Sequence, residues 1–183
     1  MDVRFLRSRD SLRAAVLDLT TETPIADVTA SAVCQRAGVT RDTFYRHAES
    51  PLDLLAEALA DEIAEVMDGL PGQRTIGDGE RALIEHVHRR SAVYRNTMHP
   101  LLAGPVRANL DRMIRRGLQT WAGLHPRILP PAFADDPQAL ELAVAYAAGG
   151  TVGAIEEWLR RGDDDIDRAV RLILAASPEW WLR

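Results

Sequence analysis

A chain of 183 residues, 46% hydrophobic and 27% charged, has an ordinary globular composition and enough length to bury a substantial core. No apolar run approaches the ~20 residues of a membrane span, and residues 1–10 are charged where a signal peptide would have its apolar core. The expected location is therefore the cytoplasm, and a lone Cys34 excludes an internal disulfide.

The net charge of −5 is unevenly distributed. Residues 1–50 carry seven Arg and seven acids and balance, while 51–183 carry 15 Arg and 20 acids and hold the whole excess. Within 30–47 three Arg face one acid. Positive charge is local, and the acidic remainder discourages loose wrapping of nucleic acid.

In chain order, the first predicted helix runs from Ser8 to Thr20, with Phe5, Leu12, Val16 and Leu19 on one side. Arg4, Arg7, Arg9 and Arg13 near its start read either as solvated charges or as phosphate contacts. Thr23-Pro24 breaks the chain before Ile25 and Val28. Thr29 then stands as N-cap of a helix over Ala30 to Ala37, Gly38 takes the left-handed position after it, and Thr40 caps a second helix with Asp42 in its first turn. Helix, tight Gly turn, helix is the layout whose second member enters a major groove.

The faces of this pair are distinct. Ala30, Val33, Cys34 and Ala37 form a small-residue side, with Cys34 read as a buried small hydrophobe and, alternatively, as a redox sensor. Phe44 and Ala48 point inward on the second helix. That leaves Arg41, Asp42, Thr43, Tyr45, Arg46 and His47 outward, a set dominated by donors suited to phosphate and base edges. Arg46 and Thr43 are expected at bases. Thr29, Thr40, Tyr45 and His47 are expected at phosphates, and Arg41 at either. Asp42 reads either as a cytosine acceptor or as a helix-stabilising charge. Capped helix pairs with Gly turns also occur in ordinary bundles.

Residues Val28 to Leu55 resemble the DNA-binding domain of the TetR family of bacterial regulators. The resemblance rests on Thr29, the Val33-Cys34-x-x-Ala37-Gly38-Val39-Thr40 turn, Thr43-Phe44-Tyr45-x-His47, and Ser50 leading into Leu54-Leu55. Three positions depart from the pattern: Ala48 in place of an aromatic, Pro51 in place of a basic residue, and Asp42 in place of a small one. The resemblance implies an all-α protein with a three-helix helix-turn-helix head over 1–50, a connecting helix over 51–70, and a ligand-binding and dimerisation bundle over 71–183.

The connecting helix has a clear start, Ser50 as N-cap, Pro51 at N1 and Asp53 at N3. Leu52, Leu55, Leu59, Ile63, Val66 and Leu70 form its apolar stripe, opposite Asp53, Glu57, Asp61 and Glu65. A Gly-rich boundary is expected over 69–79, then helices at 79–98, 104–123, 138–161 and 165–176, with a Pro-rich loop at 125–137. In the third of these, Ala145, Gly149 and Gly153 recur every four residues and make a groove for another helix, followed by Ile155 and Trp158. That segment also resembles the family's C-terminal pattern, in which this helix and the next build a four-helix dimer interface. An intramolecular helix filling the groove is the alternative.

No catalytic or metal constellation emerges. His86 and His88 lie about 200° apart on a helix, and Asp163, Asp164, Asp165 and Asp167 lack the Gly and terminal Glu of a calcium loop and read as helix caps. No enzyme activity, cofactor or metal is expected. Family pockets are apolar and carry no motif, so Tyr94, Met98, His99, Met113, Trp121 and Tyr146 are candidates to line one, with plain core as their other reading. The expected function is a ligand-responsive repressor that binds a near-palindromic double-stranded DNA operator as a homodimer, without membrane association. The alternative is a protein of this fold that has lost DNA binding and acts through a ligand or partner.

Overall fold

The computed structural model describes residues 3–68 and 75–182. Among them there are ten α-helices and no strand: α1 (Val3–Glu22), α2 (Ala30–Ala37), α3 (Arg41–Tyr45), α4 (Pro51–Asp68), α5 (Ile76–Arg89), α6 (Ser91–Arg95), α7 (Gly104–Leu124), α8 (Pro131–Ala134), α9 (Pro137–Arg161) and α10 (Ile166–Ala176). Short 3-10 turns cover Ile25–Asp27, Pro126–Ile128 and Glu179–Leu182. None of the described helices is long and apolar enough to cross a membrane. The all-α expectation holds.

The chain forms two compact units, residues 1–62 with 90–109 and residues 63–89 with 110–183. Their limits coincide with neither of the boundaries expected at 50/51 and 70/71. In the first unit, Leu12 and Val16 of α1, Val33 of α2, Phe44 of α3 and Leu55 of α4 have no solvent exposure. Tyr94 of α6 joins this interior. The Asn96 side-chain amide donates to the carbonyls of Thr20 (2.7 Å) and Thr21 (3.2 Å), two of the orphan carbonyls at the end of α1. The Asn96 main-chain carbonyl accepts from the Ile25 N–H at 2.9 Å. Arg90 grips Glu62 (Nε to Oε2, 2.9 Å), Arg13 pairs with Asp61, and Asn109 donates to the Ala56 carbonyl at 2.9 Å.

The predicted helix 79–98 is two helices, with the break at Arg90, whose backbone leaves helical geometry. The expected glycine-rich boundary is overturned in part. Gly77 and Gly79 lie inside α5, which Thr75 caps by accepting from the Asp78 N–H at 3.2 Å. The remainder of that boundary, with Leu70, lies outside the described residues. The Pro-rich stretch is also more ordered than a loop, because Pro126 and Pro131 start short helical turns whose first N–H would go unpaired anyway.

In the second unit α5 packs on α10, and α9 packs on α8 and α10. Val144, Ala148, Val152, Ile155 and Leu159 of α9 are sealed inside, as are Ile84 and Val87 of α5. Asp136 caps α9 through the N–H groups of Gln138 and Ala139, and Asp165 caps α10 through that of Arg168. Asp163 accepts from the Asp165 N–H (3.0 Å) and pairs with Arg168 (2.9 Å), so this acidic run does cap the last helix.

Candidate nucleic-acid interface

The geometry around α2 and α3 follows from local hydrogen bonds. Thr29 Oγ1 accepts from the Ala32 N–H at 3.1 Å, and Thr40 Oγ1 accepts from the Thr43 N–H at 3.2 Å. Gly38 sits at φ +67° and ψ +33°, a region costly for any residue with a Cβ, and the Val39 N–H closes on the Cys34 carbonyl at 3.1 Å. Cys34 is buried with a free thiol. Ser50 and Asp53 make the expected cap of α4, with the Asp53 N–H donating to Ser50 Oγ at 3.1 Å and the hydroxyl donating to the Asp53 carboxylate at 2.6 Å.

These caps leave Thr29, Thr40, Arg41, Asp42, Tyr45 and Arg46 exposed, with Thr43 partly so. Two of these arginines are already oriented. Arg41 donates from Nε to Ser31 Oγ at 3.0 Å, which holds it against α2. Arg46 donates to Thr43 Oγ1 at 3.2 Å and faces the Asp42 carboxylate at 3.5 Å. Exposed pairs of this kind are worth little energy, yet they bias the side chain towards the outer face of α3. Tyr45 is exposed, and its ring meets Phe44 edge-on at 5.2 Å. Ser31 belongs to this set and was missed in the sequence, where it reads as one more small residue of α2.

His47 stands apart from the others. Its ring lies 4.2 Å from that of Phe5, and Nε2 is 2.8 Å from Ser8 Oγ. The Ser8 hydroxyl gives its proton to the Phe5 carbonyl (2.9 Å), so His47 Nε2–H is the donor to Ser8. Burial, then the charges of Arg46, Arg9 and Arg13, hold its pKa below the ordinary value, and the ring is neutral at pH 7. His47 thus ties the turn after α3 to α1. Its partners Ser8 and Phe5 escaped the sequence reading because α1 begins at Val3 rather than Ser8.

The other candidates scatter. Tyr94 is fully buried in the first unit, where Met98 is partly buried and His99 exposed. In the second unit Met113 is partly buried, and Trp121 packs in a core cluster with Ala122, Val144 and Trp181. Tyr146 is 76% exposed and cannot line an interior. At about 100° per residue it falls on the same side of α9 as Leu142, Gly149 and Gly153. Leu142 is 73% exposed, and Ala145, Gly149 and Gly153 are partly exposed. A Cβ built at Gly149, Gly150 or Gly153 meets nothing within 4 Å, so no described helix of this chain fills the groove. Ile155 and Trp158, expected beside the glycines, are buried in the chain's own core. They lie on the far side of α9, about 200° and 140° round from Gly153.

No family model matches the chain, and neither does any curated protein. Solved structures do. The dihydroxyacetone kinase operon activator DhaS superposes with a TM-score of 0.68 at 14% identity, over 96% of this chain and 98% of that one. A TetR transcriptional regulator from Rhodococcus sp. RHA1 gives 0.59 at 24% identity, over 93% and 97%. NalD, the secondary repressor of the MexAB-OprM multidrug efflux pump in Pseudomonas aeruginosa, gives 0.59 at 17% identity, over 98% of each chain. The chain therefore has a TetR-like fold over essentially its whole length.

Proposed function

We propose that this chain is a transcription regulator, a repressor that occupies a DNA operator as a two-fold dimer and releases it when a small-molecule effector binds. The observation that carries this reading is the outer surface of α3, where Arg41, Thr43, Tyr45 and Arg46 project from a helix pair held by two threonine caps and a left-handed glycine. Donors of this kind read base edges and phosphates. The open glycine face of α9, bordered by exposed Leu142 and Tyr146, supports a second copy as its partner. A two-fold dimer presents two reading helices to half-sites about one turn of DNA apart, roughly 34–36 Å. An effector with greater affinity for the DNA-free form weakens DNA binding by the factor by which DNA weakens its own. Nothing in this role requires catalysis.

Recovery and sequencing of genomic DNA bound by the purified protein tests the proposal. A near-palindromic consensus upstream of genes is the expected result, and the absence of any enriched sequence overturns it. Repression is tested by transcription from such a promoter with and without the protein; increased transcription on addition overturns the repressor assignment.

Within that site, Arg46→Ala is expected to cost about 1–3 kcal/mol of operator affinity and to relax preference at the positions it reads. An unchanged gel-shift titration and consensus would remove Arg46 from base reading. Asp42 lies in the first turn of α3 and faces Arg46, both structural duties. Binding-site selection with Asp42→Ser is accordingly expected to return the natural consensus. A lost C·G position would show that the carboxylate reads cytosine directly.

A further inference from the structure

The interior of the second unit holds polar atoms that have no hydrogen-bond partner among the described residues. Ile76, in the first turn of α5, packs against the cluster of Trp121, Val144 and Trp181. Glu80 follows four residues later and so lies on the same side of the helix. Its Oε1 is sealed from solvent and has no hydrogen-bond partner. The indole N–H groups of Trp121 and Trp181 are likewise sealed and unpartnered. The nearest cation along α5, Arg81, is turned to α10, where it meets Asp167 at 2.7 Å, with Glu85 at 3.9 Å. Native interiors rarely leave such groups unpaired without a functional reason.

The cluster that Ile76 packs against is aromatic. His125 lies 3.9 Å from Trp121, Trp180 stacks on Trp181 at 4.2 Å, and Phe133 lies 5.1 Å from Trp180, all as ring-centroid separations. An unpaired acceptor oxygen one helical turn from a residue packed on this cluster favours a donor that carries positive charge. An alcohol would satisfy the oxygen and leave its charge uncompensated. An ammonium group satisfies both and is attracted to the indole faces.

We propose that the effector is a hydrophobic amine, its ammonium group received by Glu80 and its apolar body lying against the Trp121–Trp181 cluster. This rests on the reading of the chain as an effector-responsive regulator and names the chemistry of that effector.

The test titrates the full chain, without DNA, with 2-phenylethylamine, 2-phenylethanol and phenylacetate. The amine is expected to bind about tenfold or more tightly than the alcohol, the scale of one charge-assisted hydrogen bond, and the acid not to bind. In Glu80→Gln the amine's advantage disappears while alcohol binding remains, which also reports that the variant is folded. A second readout uses the natural chain alone. Burial raises the Glu80 carboxyl to about 7, so the group is partly protonated at pH 7. Amine binding there should release a fraction of a proton, seen as a buffer-dependent calorimetric enthalpy, and the release should vanish by pH 9. Equal affinities for amine and alcohol, an advantage that survives in Glu80→Gln, or no amine binding in the millimolar range each overturns the proposal. Failure of the genomic DNA selection leaves these titrations intact and removes only the regulatory reading.

Discussion

Gly153→Leu is expected to yield a folded monomer that has lost tight operator binding. A Cβ at this position meets nothing within 4 Å in the chain itself, so the isolated protomer has room for the substitution. The helix gains in propensity, since Gly costs about 0.8–1.0 kcal/mol relative to Ala in a helix interior and Leu very little. If a second copy lays a helix along the groove lined by Ala145, Gly149 and Gly153, the leucine side chain occupies the space that helix needs. Association then fails for steric reasons while the fold survives. Two reading heads on one body gain roughly 100- to 10,000-fold in avidity over a single head, and this is the affinity expected to be lost. Light scattering, thermal melting and gel shift separate the possibilities. A dimer of natural mass in Gly153→Leu would show that α9 presents this face to something other than a second copy.

The second large effect concerns Glu80 and pH. Its carboxyl is raised from 4.5 to about 7 by burial, so the folded protein holds a proton that the unfolded chain has released. Between those values the native state binds more protons, and stability falls as pH rises from about 4.5 to 7 and is level above. One pKa unit corresponds to about 1.4 kcal/mol, so Glu80→Gln is expected to stabilise the protein by up to roughly 3 kcal/mol at pH 8. It should have little effect at pH 4. Urea melts of the two proteins across this range check it, and an equal effect at both ends would mean that the ionised form bears no burial cost.

What the sequence made legible was local. Thr29, Gly38, Thr40 and Ser50 act through hydrogen bonds reaching three to five residues, and each predicted cap or turn has the expected partner. What was not legible depends on residues distant in the chain. The break at Arg90 coincides with its grip on Glu62, 28 positions earlier. The contact of His47 Nε2 with Ser8, 39 positions away, has no local signal in the sequence. Tyr94 and Trp121 are large residues in helices of the expected body, and only the packing shows that they belong to the interiors of different units. Tyr146 and Ile155 were assigned by neighbourhood along α9, whereas angular position decides which faces solvent and which the core. Glu80 left no pattern at all, because a single buried carboxylate is indistinguishable in sequence from a surface one.

The hold of Asn96 on the end of α1 bears on any attempt to move the helix pair α2–α3 between proteins. Residues 1–62 form one compact unit with 90–109, so a fragment cut after α4 would leave behind the amide that covers the Thr20 and Thr21 carbonyls and the Tyr94 ring that completes the interior. The transplantable cassette is discontinuous. A chimaera built to test the proposed operator reading must carry α6 from the donor or graft only the outer side chains of α3 onto the resident head. A simple fusion near residue 68 would separate a helix end from its cap.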